Sequence, residues 1–333
     1  MDTADFMPDA AVVAGIQSDL QSYETRRAAV QRQVRWRVPL FIGLVLIATV
    51  LLALLFNSFA DPYEQWFSTP HVFLYIVGIV AAVFAYFSAV KPATDLRQSF
   101  RDRLLPVIFG FIEGVSYRRG EKPDSFDRLP AETIGSFDRE YFDDAISGRY
   151  EGFSFELYEA RLEQKTSKAV SSVFKGIVIA FETMTPFPGV LIATRRTNKV
   201  MGFFQGIFGS RMEEVPSGIP ALDEDYEFRT DNVEAARPLV TGRLAKALQW
   251  LGEAWPDEPA RVALTGSEGF LLLPHDRNFF ELPDIDQPLD YKVHIEPMIA
   301  DLASLLATAS LVRKAGAEGE TGTTGMPDQQ SKP

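Results

Sequence analysis

The chain has 333 residues, a net charge of −12 and no cysteine. Disulfides, thiol nucleophiles and thiolate metal sites are therefore excluded. Residues 91–333 carry 28 Lys and Arg against 38 Asp and Glu, a surface that repels a phosphate backbone, so nucleic acid is not an expected partner.

Before any long apolar run, Val13, Ile16, Leu20, Tyr23, Val30 and Val34 recur at alternating spacings of three and four, with Arg27 interrupting the seam. This predicts a helix over much of residues 1–37 with one apolar stripe. The stripe suits either a short coiled coil between two copies, a homodimer, or packing on the chain's own domain.

From Val38 to Phe56, and again from Val72 to Val90, the chain runs 19 residues without a charge. At 1.5 Å per residue each reaches about 28 Å, enough for a hydrocarbon core of about 30 Å. Both are expected to span a bilayer. Arg26, Arg27, Arg32, Arg35 and Arg37 precede the first run, Lys91, Arg97, Arg101 and Arg103 follow the second, and the loop 57–71 has neither Lys nor Arg. That asymmetry places both flanks in the cytoplasm and the loop outside. The long polar stretch before the first run, with no small-residue cleavage pattern after it, reads as a permanent anchor. Gly78 with Ala82, and Ala81 with Ala85 and Ala89, set small residues four apart, a face for the first helix.

The cytoplasmic domain is expected to occupy residues 91–313. A helix is predicted from Asp95 to about Val115, with a kink or break at Pro106. From Ala145 the period changes to two, giving strands Ile146–Glu151, Phe153–Glu163, Ser172–Met184 and Val190–Arg196. The run Val173–Phe181 is apolar on both faces and is assigned to the sheet centre. Tyr226–Thr230 reads as another strand, followed by a helix capped at Asp231 and Glu234 that continues to Glu253, with Pro238 in its first regular turn. Arg261–Thr265 and Gly269–Leu273 read as a hairpin joined by Gly266–Glu268. A last helix is placed at Met298–Lys314, and residues 314–333 read as a disordered tail. The fold class is therefore α+β: two transmembrane helices followed by a cytoplasmic antiparallel sheet packed with helices.

The segments Gly152–Leu157, Ser172–Val178, Phe228–Arg237 and Leu272–Phe280 together resemble the bacterial membrane proteins known as domain of unknown function 3137, over about residues 95–312. The resemblance implies a two-helix membrane protein with a mixed cytoplasmic domain. It implies no activity and supplies no catalytic residues.

No Walker loop, dinucleotide fingerprint, nucleophile elbow or helical metalloprotease His pair is present, so no cofactor is expected. Two surfaces remain. Glu156, His275 and Arg277 are candidates for a polar acid-base site, since His275 and Arg277 point the same way in extended chain; the alternative is a partnered carboxylate and a polar turn. The segment Thr183–Met212 has no Asp or Glu but carries Arg195, Arg196, Lys199 and Arg211. If helical, it would align Phe203, Phe204, Ile207 and Phe208 on one face, a candidate contact for membrane lipids or a protein partner; the alternative is packing on the chain's own sheet. The expectation for the whole is a membrane-anchored binding or scaffold protein. A membrane-bound enzyme acting on a lipid-linked or cytosolic substrate is the alternative.

Overall fold

The structure is a computed structural model that describes residues 10–59, 66, 68–166, 169–196, 212–254, 259–276 and 279–315. By contact it divides into two units, each described by itself: Pro8–Ile108 with Leu282–Pro297, and Phe109–Glu281 with Met298 onward.

The first unit is a hairpin of two long helices, α1 (Ala10–Phe59) and α2 (Thr69–Ile108). Each contains an uncharged run and continues well past it. α2 runs through Pro92 and ends at Ile108, two residues past Pro106, where a kink or break was expected. Large apolar side chains on both runs lie bare: Leu44, Ile47, Leu51 and Leu54 on α1, and Phe73, Ile76, Ile79, Phe84 and Phe87 on α2. Within the apolar runs one contact between the helices is made by a glycine. A Cβ on Gly78 would meet Thr49 Oγ1 at 2.8 Å, and the Thr49 hydroxyl donates to Val45 O at 2.8 Å, so no polar atom is left bare in the contact. Gly78→Leu is expected to pry the helices apart and destabilise the detergent-purified protein by about 1–3 kcal/mol, read as a lowered Tm. At the loop end of the hairpin His71 is buried. Its Nδ1 accepts from Ser68 Oγ at 2.7 Å while Nε2 faces Ala53 O at 3.3 Å.

The apolar stripe of α1 packs within its own chain. Ile16, Leu20 and Tyr23 are buried, and the Tyr23 ring stacks on Phe100 of α2 with centroids 4.3 Å apart. The Arg27 that interrupts the seam has a structural use: its Nη1 donates to Ile285 O at 2.7 Å and it pairs with Glu24 at 2.8 Å. Glu24 in turn accepts from Leu289 N at 2.9 Å, and Arg97 of α2 pairs with Asp284. The returning segment 282–297 is thus strapped to the helices by side chains that the local pattern marks as ordinary surface charge.

The second unit is built on a seven-stranded antiparallel sheet. Its strands are β1 (Glu113–Arg119), β2 (Arg139–Tyr150), β3 (Phe153–Lys165), β4 (Val170–Arg195), β5 (Glu213–Glu214), β6 (Tyr226–Thr230) and β7 (Arg261–Pro274). The order is β1-β2-β3-β4-β6-β5, with β7 also paired to β4. The 26-residue β4 organises it: β7 follows one edge from Gly176 to Ala193, while β3 and then β6 take the other. Ile177–Phe181, flanked by β3 and β7, are all buried, which is the continuous apolar signature of a strand covered on both faces.

One face carries Tyr158, Leu162, Val178, Phe270 and Leu272, covered by Phe126, Leu129 and, from the short helix α3 (Ala131–Ile134), Ile134. Four helical segments complete the unit's outline: α4 (Pro220–Asp225), α5 (Val233–Val240), α6 (Arg243–Ala254) and α7 (Glu296–Ala315). On the opposite face Leu157, Ile179, Leu271 and Leu273 are buried, and Arg313 of α7 lies over the Phe153 ring.

Three local expectations are corrected. Residues 113–119 form β1 rather than the end of a helix. The helix after β6 is capped by Asn232, which accepts from Ala235 N at 3.2 Å, because Asp231 is committed to Val190 N at 2.7 Å. It also breaks at Gly242, so Pro238 stands near its end. The Gly266–Glu268 stretch is not a hairpin turn; β7 runs straight through it, opposite the bulge of β4 between Glu182 and Phe187.

Candidate functional site

A bulge in β2 builds the site. Phe142 pairs with Ala160 and Ala145 with Tyr158, so Asp143 and Asp144 together oppose the single residue Glu159. Their carboxylate oxygens all fall within 4.8 Å of one another. Asp144 is fully buried and accepts from the Tyr117 hydroxyl, and Asp143 pairs with Arg119 at 3.1 Å. Glu159 accepts from the backbone N–H groups of Phe279 and, at 3.3 Å, Phe280. Burial pushes its carboxyl up to about 8, the two neighbouring aspartates add to the rise, and the two backbone donors oppose it.

Beside this group lies a pocket of about 420 Å³ whose wall includes Asp143, Glu159, Lys175, His275, Asp276 and Glu281. His275 follows the last residue of β7 and donates its backbone N–H to Lys175 O at 2.9 Å. Gly176 permits that approach, since a Cβ there would stand 2.1 Å from Leu273 O and 2.8 Å from His275 N. Asp301 of α7 has its carboxyl raised by burial, with His275 nearby working against the rise.

Among the described residues, Asp143, Asp144 and Glu159 are the acidic side chains that converge closely enough to surround a cation. Two of them already engage Tyr117 and Arg119, and burial raises the Glu159 carboxyl to about 8. The group therefore brings a carboxyl of raised pKa against two ionisable neighbours, an arrangement that can hold a proton.

Of the residues singled out from sequence, Glu156 and His275 stand apart in the sheet. Glu156 pairs with Arg118 at 2.5 Å and accepts from Ser125 N at 2.8 Å, a partnered structural carboxylate. It sits opposite Ala180, whereas Pro274, just before His275, sits opposite Gly176. Four residues of strand separate those positions, roughly 13 Å. Arg277 lies outside the described residues, as do Lys199, Phe203, Phe204, Ile207, Phe208 and Arg211. Arg195 is exposed at the end of β4. Arg196 forms an ion pair with Glu214 and donates to Asp223 O at 2.9 Å, which offsets part of the positive charge of its segment. Glu159 was missed because its role depends on a bulge in another strand; the available signal was an acid continuing the alternation of Phe153, Phe155 and Leu157.

No protein-family profile matches the chain, and no curated protein matches it. One solved structure found in the comparison is the crystal structure of the mycobacterial trehalose monomycolate transport factor A, TtfA, which is 13% identical over 66% of this chain and 91% of that one, with a TM-score of 0.34. That superposition is too weak to establish a shared fold. The chain itself combines helices with an antiparallel sheet and carries long apolar helices at its N-terminal end, the composition of a membrane-associated protein.

Proposed function

We propose that the chain is a two-span protein of the bacterial inner membrane, with both termini in the cytoplasm, that displays its sheet unit there as a binding or scaffold module. The observation that carries this is a contrast in burial. Among the described residues, three helical stretches are long and apolar enough to cross a bilayer. The apolar window of Tyr291–Lys314 is 61% buried within the fold, while those of α1 and α2 are 6% and 11% buried. Two are bare and one is a core helix. Bare, uncharged helices of this length are stable in hydrocarbon and not in water. The full chain is expected to resist an alkaline carbonate wash of membranes and to leave them only with detergent; release by the wash alone would remove the reading.

Membership of the family that the chain resembles is part of the proposal. We also assign the lipid contact to residues 183–212. Because the chain has no cysteine, Phe204→Cys can carry a single polarity-sensitive dye. Its emission should shift to the blue in nanodiscs containing anionic lipid and much less in purely zwitterionic ones. A spectrum unchanged from that in water, in both, would discard the contact.

The pocket beside Glu159 favours a second reading, a membrane-bound enzyme or small-molecule sensor, because titratable groups converge there on a concave wall. A small polar metabolite that raises the Tm of the wild type, but not of His275→Ala, would support it.

A further inference from the structure

The register of the sheet brings two cations and an acid together on the wall of the cavity beside Glu159. β3 pairs with β4 so that Arg161 stands directly opposite Lys175, and Glu159 opposite Ile177. Residues two apart on a strand project from the same face, so Glu159, Arg161 and Lys175 share one. Arg161 and Lys175 are cross-strand neighbours, and Glu159 lies diagonal to Lys175 across roughly 7–8 Å, a span that long side chains close. All three line the cavity.

Two cations set directly opposite each other destabilise a sheet. Among the described residues no carboxylate pairs with both: Glu163 meets Arg161 from its Nε side at 3.5 Å, and Lys175 Nζ donates to the carbonyl of Asp276. The Arg161 guanidinium lies over the Tyr141 ring, 4.5 Å from its centre, which fixes its plane and leaves its Nη groups to donate elsewhere. Lys175 likewise keeps ammonium protons beyond the one given to Asp276 O. Glu159 completes the group in a different way. The two backbone N–H groups that it accepts both meet its Oε1, so Oε2 has no hydrogen bond among the described residues. Burial raises this carboxyl to about 8, and below that value it brings a proton to donate rather than another charge.

A planar anion set among these groups would bridge the opposed cations and accept from the acid. The remaining wall limits its charge. Asp143, which pairs with Arg119 at 3.1 Å, stands there with Asp276 and Glu281, and together they oppose a dianion such as phosphate. We propose that the cavity binds a small carboxylate metabolite, whose carboxylate bridges Arg161 and Lys175 and accepts a hydrogen bond from Glu159. The assignment rests on the ligand-pocket reading given above for the same cavity and names its ligand class. The volume of about 420 Å³ leaves room for the rest of such a molecule.

The test follows the Tm of the full chain in zwitterionic nanodiscs near neutral pH, at constant ionic strength, as lactate is added, with lactamide as the uncharged control. Lactate is expected to raise Tm and to saturate, and lactamide to have little effect. Arg161→Gln and Lys175→Gln, each made singly, should raise the half-saturating lactate concentration about tenfold or more. Lys165→Gln, on the exposed end of β3 outside the cavity wall, should leave it unchanged. Equal responses to lactate and lactamide, or an unshifted concentration in both pocket variants, would overturn the proposal. Inorganic phosphate or ethanolamine raising Tm through Lys175 where lactate does not would overturn the carboxylate and leave the pocket reading standing. Silence from lactate, phosphate and ethanolamine alike would remove both.

Discussion

Replacing Glu159 by Gln is expected to flatten the pH dependence of stability and to make the protein more stable than wild type above pH 8. The folded-state carboxyl is raised to about 8 from an ordinary 4.5, so the native state holds a proton that the unfolded chain has released between those values. The stability tied to the neutral carboxyl is fully present below the unfolded value and is lost as pH rises through 8. A shift of this size is worth about 2–5 kcal/mol. Glutamine keeps an oxygen to accept from Phe279 N and Phe280 N but has no charge to bury beside Asp143 and Asp144. Thermal unfolding of both full-length proteins in nanodiscs should give Tm curves that converge near pH 5 and separate by roughly 5–10 °C near pH 9. Parallel curves from pH 6 to 9 would mean that Glu159 is ionised throughout.

Gly176→Val should be the most damaging single change in the sheet. Its Cβ would be driven to within 2.1 Å of Leu273 O, a backbone atom that cannot swing aside as a side-chain tip would. The Gly176 to Pro274 pairing must open, together with the His275 N to Lys175 O bond that positions the pocket wall. A loss of about 3 kcal/mol or more is expected, seen as a lowered Tm and faster hydrogen exchange through residues 269–274. Gly252→Ala is the control: nothing lies within 4 Å of its Cβ, and a helical alanine should be neutral or stabilising by about 0.5–1 kcal/mol. Equal Tm values for the two variants would contradict the close strand approach.

What could be read from the sequence was what local chemistry determines. The period of two in β3, the two-faced apolar run of β4 and the short strand Tyr226–Thr230 all reappear in the sheet. So do the long apolar helices, because solvent preference needs no partner to be decided. What could not be read depends on pairing. Gly266–Glu268 looks like a turn until β4 proves long enough to carry β7 past it. Asp231 looks like a helix cap until Val190 N takes its carboxylate. Arg27 looks misplaced until Ile285 O and Glu24 come to meet it. The acidic group was hidden for the same reason: Glu159 becomes special only when two residues of β2 share one place opposite it. Glu156, two strands from β7, drew notice from its aromatic neighbours and proved to be an ordinary ion-pair partner of Arg118.

The membrane hairpin is the claim on which the rest stands, and the cysteine-free chain allows it to be tested in intact cells. Ser58→Cys, at the end of α1 beside the loop, and Ser99→Cys, on α2 beyond the second apolar run, each supply one thiol for a membrane-impermeant maleimide. The account predicts labelling of the first in intact cells and of the second only after permeabilisation. Labelling of Ser99→Cys in intact cells, or recovery of the full chain in the soluble fraction without detergent, would contradict it.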